Sequence, residues 1–395
     1  MPSRFAVHWT LDPDVTFLNH GSFGACPRVV LDHQSALRVE LERQPLEFLG
    51  RRIFGLIDAA REPLAAFLGA SPEDLVPVTN ATAGVNTVLR SLEFSPGDEL
   101  LTTNHAYNAC KNALDYVAEK AGARVVVARV PFPAASEDDL VLPILEAVTP
   151  ATRLALLDHV TSPTGLVFPM ARLVDELRAR GVETLVDGAH APGMVELDLD
   201  RLGAAYYTGN AHKWLCAPKG TAFLHARRDC QAGLVPLVIS HGANVRRPGR
   251  SAFHDQFDWG GTLDPTGWLC LPVALEFLGN LLPGGWPALR ERNRNLALFA
   301  RQLLTATLGL ADPSPESTIG ALAAVPLGEA PSGASPFGGD ELQVRLWQDF
   351  QIEVPVFHWP APGHRVLRVS AQMHNDEDDY RRLVAALGAL GFART

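Results

Sequence analysis

The chain has 395 residues, 47% of them hydrophobic and 20% charged, with a formal net charge of −10. That length suggests two domains at roughly 100–200 residues each, and the balance of apolar and charged residues excludes a disordered or collagen-like chain. The excess of acid argues against a nucleic-acid partner, because phosphate-backbone binding needs a basic face, and no run of about 18 apolar residues is present to span a membrane.

The opening stretch MPSRFAVHWTLDPDVTFLNHG lacks the apolar block and small-residue cleavage site of a signal peptide. The five cysteines, Cys26, Cys110, Cys216, Cys230 and Cys270, follow no CxxC spacing, so neither a disulfide framework nor a zinc knuckle is indicated. A cytoplasmic location is expected.

After an irregular arm over residues 1–30, apolar periodicity predicts helices over 29–47, broken near Gln44-Pro45, and over 52–68. From about 75 to 224, seven short apolar runs alternate with helical patterns at 108–121, 136–149 and 169–180. This alternation predicts an α/β large domain over 31–266, led by helices within 31–70, in which helices sandwich a mostly parallel seven-stranded sheet. Ligands of such sheets sit at the carboxyl ends of the strands. A smaller α+β domain is expected over 267–395. Its helix from 271 is interrupted at LLPGG and resumes over 286–308; a Pro/Ser/Gly-rich linker follows at 312–317. Then come a strand at 319–325, the loose loop GEAPSGASPFGG, a helix, strands at 353–357 and 366–370, and a last helix.

Lysine is scarce: of 34 basic residues only Lys111, Lys120, Lys213 and Lys219 are lysines. Lys213, in YYTGNAHKWLCAPKG, therefore calls for a reason. Asp187, in LVDGAH, ends an apolar run that reads as a buried strand, where a carboxylate needs a cation or hydrogen bonds. The protonated pyridine nitrogen of pyridoxal phosphate (PLP) is one candidate partner, and Lys213, after the next strand, offers the amine for a Schiff base. TNATAGVN, residues 79–86, stands at a strand-to-helix junction where backbone amides and the Thr82 hydroxyl can meet an anion. A simple N-cap by Asn80 or Thr82 explains the same letters, and no Walker lysine follows. His105, in TTNHAYNAC, is placed either to stack on a flat ring or to serve as a core or loop histidine, with Tyr107 as the other stacking candidate. His212 can donate to a phosphate oxygen. Arg368, in RVLRVSAQMHND, can clamp a carboxylate bidentately or pair with the nearby acidic run.

Taken in order, the TNATAGVN loop, His105, SPTG from Ser162, VDGAH, HK at His212-Lys213, GGT ending at Thr262 and LRVSAQMHN resemble class V aminotransferases of PLP fold type I. FLNHGSFGACP, HAYNAC, GNAHKWLCAPKG and DWGGTLDP are similar to isopenicillin N epimerase and its relatives. The resemblance implies that Lys213 binds the cofactor as a Schiff base and moves the substrate α-proton, with Asp187 on the ring nitrogen, His190 on the phenolic oxygen and His105 stacked on the ring. It places the Ala81 backbone, Thr82 and His212 on the phosphate, with Ser162 also at the cofactor. It further implies a homodimer in which Thr262 reaches the partner's phosphate, and a substrate site holding Arg368 and Asn19. Two departures stand out. Asn210 replaces a phosphate-binding serine, and the loop over 354–365 has no cysteine, so the persulfide-forming thiol of cysteine desulfurases is missing. Epimerisation, transamination and β-elimination of a carbon–sulfur bond stay open, and Tyr107, His241 and His254 are candidates for an acid on the face opposite Lys213. Outside this class stand a metal-dependent hydrolase built on Asp187, His190 and His212, and a non-catalytic protein on the same fold.

Overall fold

The computed structural model describes residues 3–329 and 340–392, so most of the GEAPSGASPFGG loop lies outside the described residues. The strands in chain order are β1 (Thr16–Phe17), β2 (Leu75–Val78), β3 (Glu99–Thr103), β4 (Arg124–Ala128), β5 (Thr152–Asp158), β6 (Glu183–Asp187), β7 (Tyr206–Asn210) and β8 (Ala222–Ala226). They continue with β9 (Leu322–Glu329), β10 (Ile352–Glu353), β11 (Val356–His358) and β12 (His364–Ser370).

Seven of them form one sheet in the order β2-β8-β7-β6-β5-β3-β4. From β7 to β4 every pairing is parallel, and β8 runs antiparallel to both its neighbours. Strands β3, β6, β7 and β8 are buried along nearly their whole length because helices cover both sheet faces. In β5 the alternation decides the layers: Leu154 and Leu156 pack toward helices Ala81–Ser91 and Asn108–Ala121, while Ala155 and Leu157 pack with Ile53–Leu68 and Met170–Ala179 on the other face. The chain leaves β3 toward one edge, returns through β5 and proceeds toward the other. The carboxyl ends of β3 and β5 therefore flank the topological switch point where ligands of open α/β sheets bind.

A second core gathers helices Gly285–Leu308 and Glu377–Ala389 against the antiparallel sheet β11-β12-β9. Leu18 of the N-terminal arm is buried in it, and β1 pairs parallel with β10. Leu271 and Leu275, at the start of the post-267 helical pattern, are buried in the large core instead. Two expected strands change shape. The one expected at 319–325 runs over Leu322–Glu329, because Ile319 bridges Leu166 and the Val167 amide donates to the Thr318 carbonyl. The one expected at 353–357 divides at Pro355, which has no amide to donate: β10 joins the arm and β11 joins β12.

Candidate active site

A cavity of about 480 Å³ opens at the switch point, lined among others by Ser22, Phe23, Thr82, Tyr107, Asp158, Ser162, Asp187, His190, Asn210, His212, Lys213 and Lys219. Asp187 ends β6 and is 3% exposed. Its carboxylate accepts from the Ala189 amide at 3.0 Å and from the Cys110 thiol at 3.1 Å.

Lys213 follows β7 in a turn pinned from several sides. Its carbonyl accepts from the Cys216 amide and lies 3.0 Å from His20 Nε2, and Cys216 holds a positive φ of 53°. Gly24 of the arm crosses so closely that a Cβ there would lie 2.1 Å from the His212 carbonyl oxygen. Lys213 Nζ sits 3.1 Å from His190 Nε2, and Trp214 Nε1, which can only donate, points at His190 Nδ1. A neutral His190 accepting at Nδ1 carries its proton on Nε2, so the lysine nitrogen must offer a lone pair. Burial first, and then the Arg368 cation, lower the Lys213 pKa to about 7, in the same direction.

The helix Ala81–Ser91 points its N-terminus at the cavity. Asn80 caps it by accepting from the Ala83 amide, and Asn210 accepts from the Ala81 amide at 2.8 Å. Asn210 thus occupies the Ala81 donor assigned by resemblance to phosphate, while Thr82 follows at the cavity wall. Gly84 lets this helix lie on β7, since a Cβ would meet the Thr208 hydroxyl at 2.2 Å. His212 donates Nδ1–H to the Thr221 carbonyl, which leaves Nε2 toward the cavity; burial lowers its pKa to about 4.

Arg368 is fully buried behind Ser22 and Ser162. It donates to the Ser162 carbonyl and stacks over the Phe357 ring at 4.8 Å. No carboxylate pairs with it among the described residues, and its Nε has no partner there. The acidic run after it is otherwise engaged: Asp376 caps the last helix and Glu377 pairs with Arg381. Asn19 donates to Glu353 and accepts from Ser22, one layer behind the wall.

Other expected residues fall elsewhere. His105 is fully buried, with Nδ1 against Thr164 at 2.9 Å, Nε2 against the Val130 carbonyl at 3.1 Å and its ring beside Trp359. Tyr107, two residues on, is the one at the cavity. His241 is exposed on a short turn and His254 is buried on the helix Ala252–Phe257; neither lines the cavity. Thr262 is exposed and away from it. Sequence reasoning passed over Cys110, Asp158 and Lys219. For Asp158 the available signal was a carboxylate ending an apolar run, the same signal that singled out Asp187.

The model of aminotransferase class-V matches residues 29–318. The chain belongs to the class V aminotransferase family. It is 39% identical to the isopenicillin N epimerase of Amycolatopsis lactamdurans over 96% of each chain. It is 30% identical to a probable chloroplastic L-cysteine desulfhydrase of Arabidopsis thaliana, over 98% of this chain and 85% of the relative. The fold superposes on the cystine C-S lyase C-DES with a TM-score of 0.78 at 23% identity, covering 95% and 97% of the two chains.

This class V chain is an enzyme, and its cofactor is PLP. The cavity fits that group by its own chemistry. A buried carboxylate lies at one wall for a cationic ring nitrogen, a helix N-terminus opens on the cavity for a phosphate, and an amine whose pKa is lowered to about 7 gives up its proton readily enough to bond a carbonyl carbon.

Proposed function

We propose that this enzyme acts at the α-carbon of an amino acid or amino-acid-like substrate, in the manner of isopenicillin N epimerase, by taking and returning the α-proton. The observation that carries the reading is Arg368: a buried guanidinium without a carboxylate partner among the described residues, next to the cavity that holds Lys213. Such a fork suits an α-carboxylate.

Bound PLP supplies an electron sink for the bond broken at the α-carbon. Asp187 holds the proton on the ring nitrogen. Tyr107, which lines the cavity, would meet the ring in the place first given to His105. His190 would pass its Nε2–H from Lys213 Nζ to the phenolic oxygen. Thr82 and His212 take the phosphate together with Lys219, and the dianion draws a proton onto His212 Nε2 against the effect of burial. Lys213 Nζ carries the α-proton. Epimerisation needs a second acid, and the Tyr107 hydroxyl is our candidate.

A carbon–sulfur lyase is the second reading, favoured by the 30% identity to the desulfhydrase. Purified enzyme given a panel of L-amino acids and small peptides separates the readings. The D-epimer of a substrate supports the first, and pyruvate with ammonia supports the second.

We also assign the working unit as a homodimer in the cytoplasm. Val235, Leu237, Val238 and Ile239 form an exposed apolar run, with Ile239 68% exposed, and Leu263 beside Thr262 is exposed as well. Exposed apolar runs of this kind mark association surfaces. On this reading Thr262 reaches the partner's phosphate. No helix among the described residues is long and apolar enough to cross a membrane.

A further inference from the structure

Asp158 ends β5 as Asp187 ends β6, and the two are register partners in the parallel ladder. Neighbours in register project to the same face of a sheet, and both residues line the cavity. Two carboxyls, 4% and 3% exposed, are thus set side by side in the wall.

Their hydrogen bonds differ. Asp187 receives two donors, the Ala189 amide and the Cys110 thiol. Asp158 receives one: its Oδ2 accepts from the Tyr107 amide at 3.2 Å, and its buried Oδ1 has no partner among the described residues. An anionic oxygen left bare in the interior is costly, whereas a protonated one becomes a donor. We propose that Asp158 is a positioning residue for the cofactor's nitrogen end, a protonated carboxyl that holds Tyr107 through its backbone and leaves Asp187 as the one anion facing the ring. The inference rests on the PLP reading above.

The surroundings agree. Around the pair stand Cys110 and Tyr107 from the neighbouring helix, His159 bonded to the Tyr207 hydroxyl, and Lys213 across the cavity. Burial lowers the pKa of His159 to about 4, so it is neutral, and Lys213 gives its lone pair to His190. The Lys213 charge draws Asp158 down less than burial and the Asp187 charge push it up. Two adjacent carboxyls then retain one proton between them, and Asp187, which receives the two donors, keeps the charge. Burial and the Asp187 charge push Asp158 well above the usual carboxylate range, and burial raises Asp187 too.

The test uses full-length enzyme with and without PLP, and the variants Asp158→Asn and Asp158→Ala. Infrared spectra at neutral pH should show a protonated-carboxyl stretch, shifted in D₂O, that Asp158→Asn removes. Asparagine keeps both the acceptor for Tyr107 and the neutral charge, so the pH midpoint of the cofactor's visible band should move by less than about 0.3 units. Alanine removes the acceptor and should weaken PLP binding by about tenfold or more. The proposal is overturned if no protonated-carboxyl band depends on Asp158. It is also overturned if Asn moves the midpoint by about a unit, the mark of a lost anion, or if Ala and Asn bind PLP equally. The infrared band is read on cofactor-free protein too, so its failure is distinct from failure of the PLP reading, which would appear as no PLP bound to the wild type.

Discussion

The Arg368 guanidinium is the largest cause, after burial, of the low Lys213 pKa of about 7. Removing that cation removes a penalty on the ammonium form, so Arg368→Gln should raise the Lys213 pKa, and the pH at which stripped enzyme recombines with PLP should rise with it. The pH–rate profile of recombination measures this; a midpoint that stays or falls contradicts the pairing. The same variant loses the fork for the substrate carboxylate, and KM for α-amino acids should rise by about 10–100-fold, the value of a charged hydrogen bond, with little change for decarboxylated amines. Tyr107 allows a second separation. Tyr107→Phe should keep PLP bound and keep exchange of the α-proton with solvent while suppressing formation of the opposite epimer. Equal loss of exchange and epimer would assign the hydroxyl no role on the second face. The placement of Lys213 and Asp187 at the cavity, and of Arg368 behind its wall, was legible because each is an unusual residue in a telling place: a rare lysine, a carboxylate ending an apolar strand, an arginine within another. Which of His105 and Tyr107 meets the ring was not legible. Both follow one strand within four positions, and only the path of the turn from β3 into the helix Asn108–Ala121 turns the histidine inward and the tyrosine to the cavity.

The N-terminal arm acts as an element by clamping the lysine turn from behind. Gly24 has φ of 70°, and an added Cβ would strike the His212 carbonyl. Gly24→Ala should therefore cost about 2–4 kcal/mol of stability through strain and displacement and weaken PLP retention, read by thermal melting with and without cofactor. An unchanged melting point would show that the arm yields freely. The strands and helices of the large sheet were legible because their periods are clean and their ends marked; the helix expected over 108–121 is observed as Asn108–Ala121 and stops at Gly122, whose φ is 68°. The division of the strand expected at 353–357 was not, since its two halves are claimed by partners more than 300 residues apart for β1 and adjacent for β12. Pairing at that distance leaves no local trace in sequence.

For the molecule as a whole, the exposed apolar run at Val235 to Ile239 is the feature a lone chain would not favour. If the proposed dimer holds, Val238→Asp with Ile239→Asp should convert the enzyme to monomers in sedimentation and remove turnover, because each cavity would lose the Thr262 proposed to reach it; a fully active monomer contradicts the dimer. The seven-stranded sheet, its switch point and the cavity there converge on a single nitrogen, Lys213 Nζ. The most direct measurement is to reduce the enzyme with borohydride, digest it and locate the added cofactor mass. That mass should appear on Lys213. Its appearance on Lys111, Lys120 or Lys219, or on no lysine at all, would contradict the assignment of Lys213 as the cofactor's lysine.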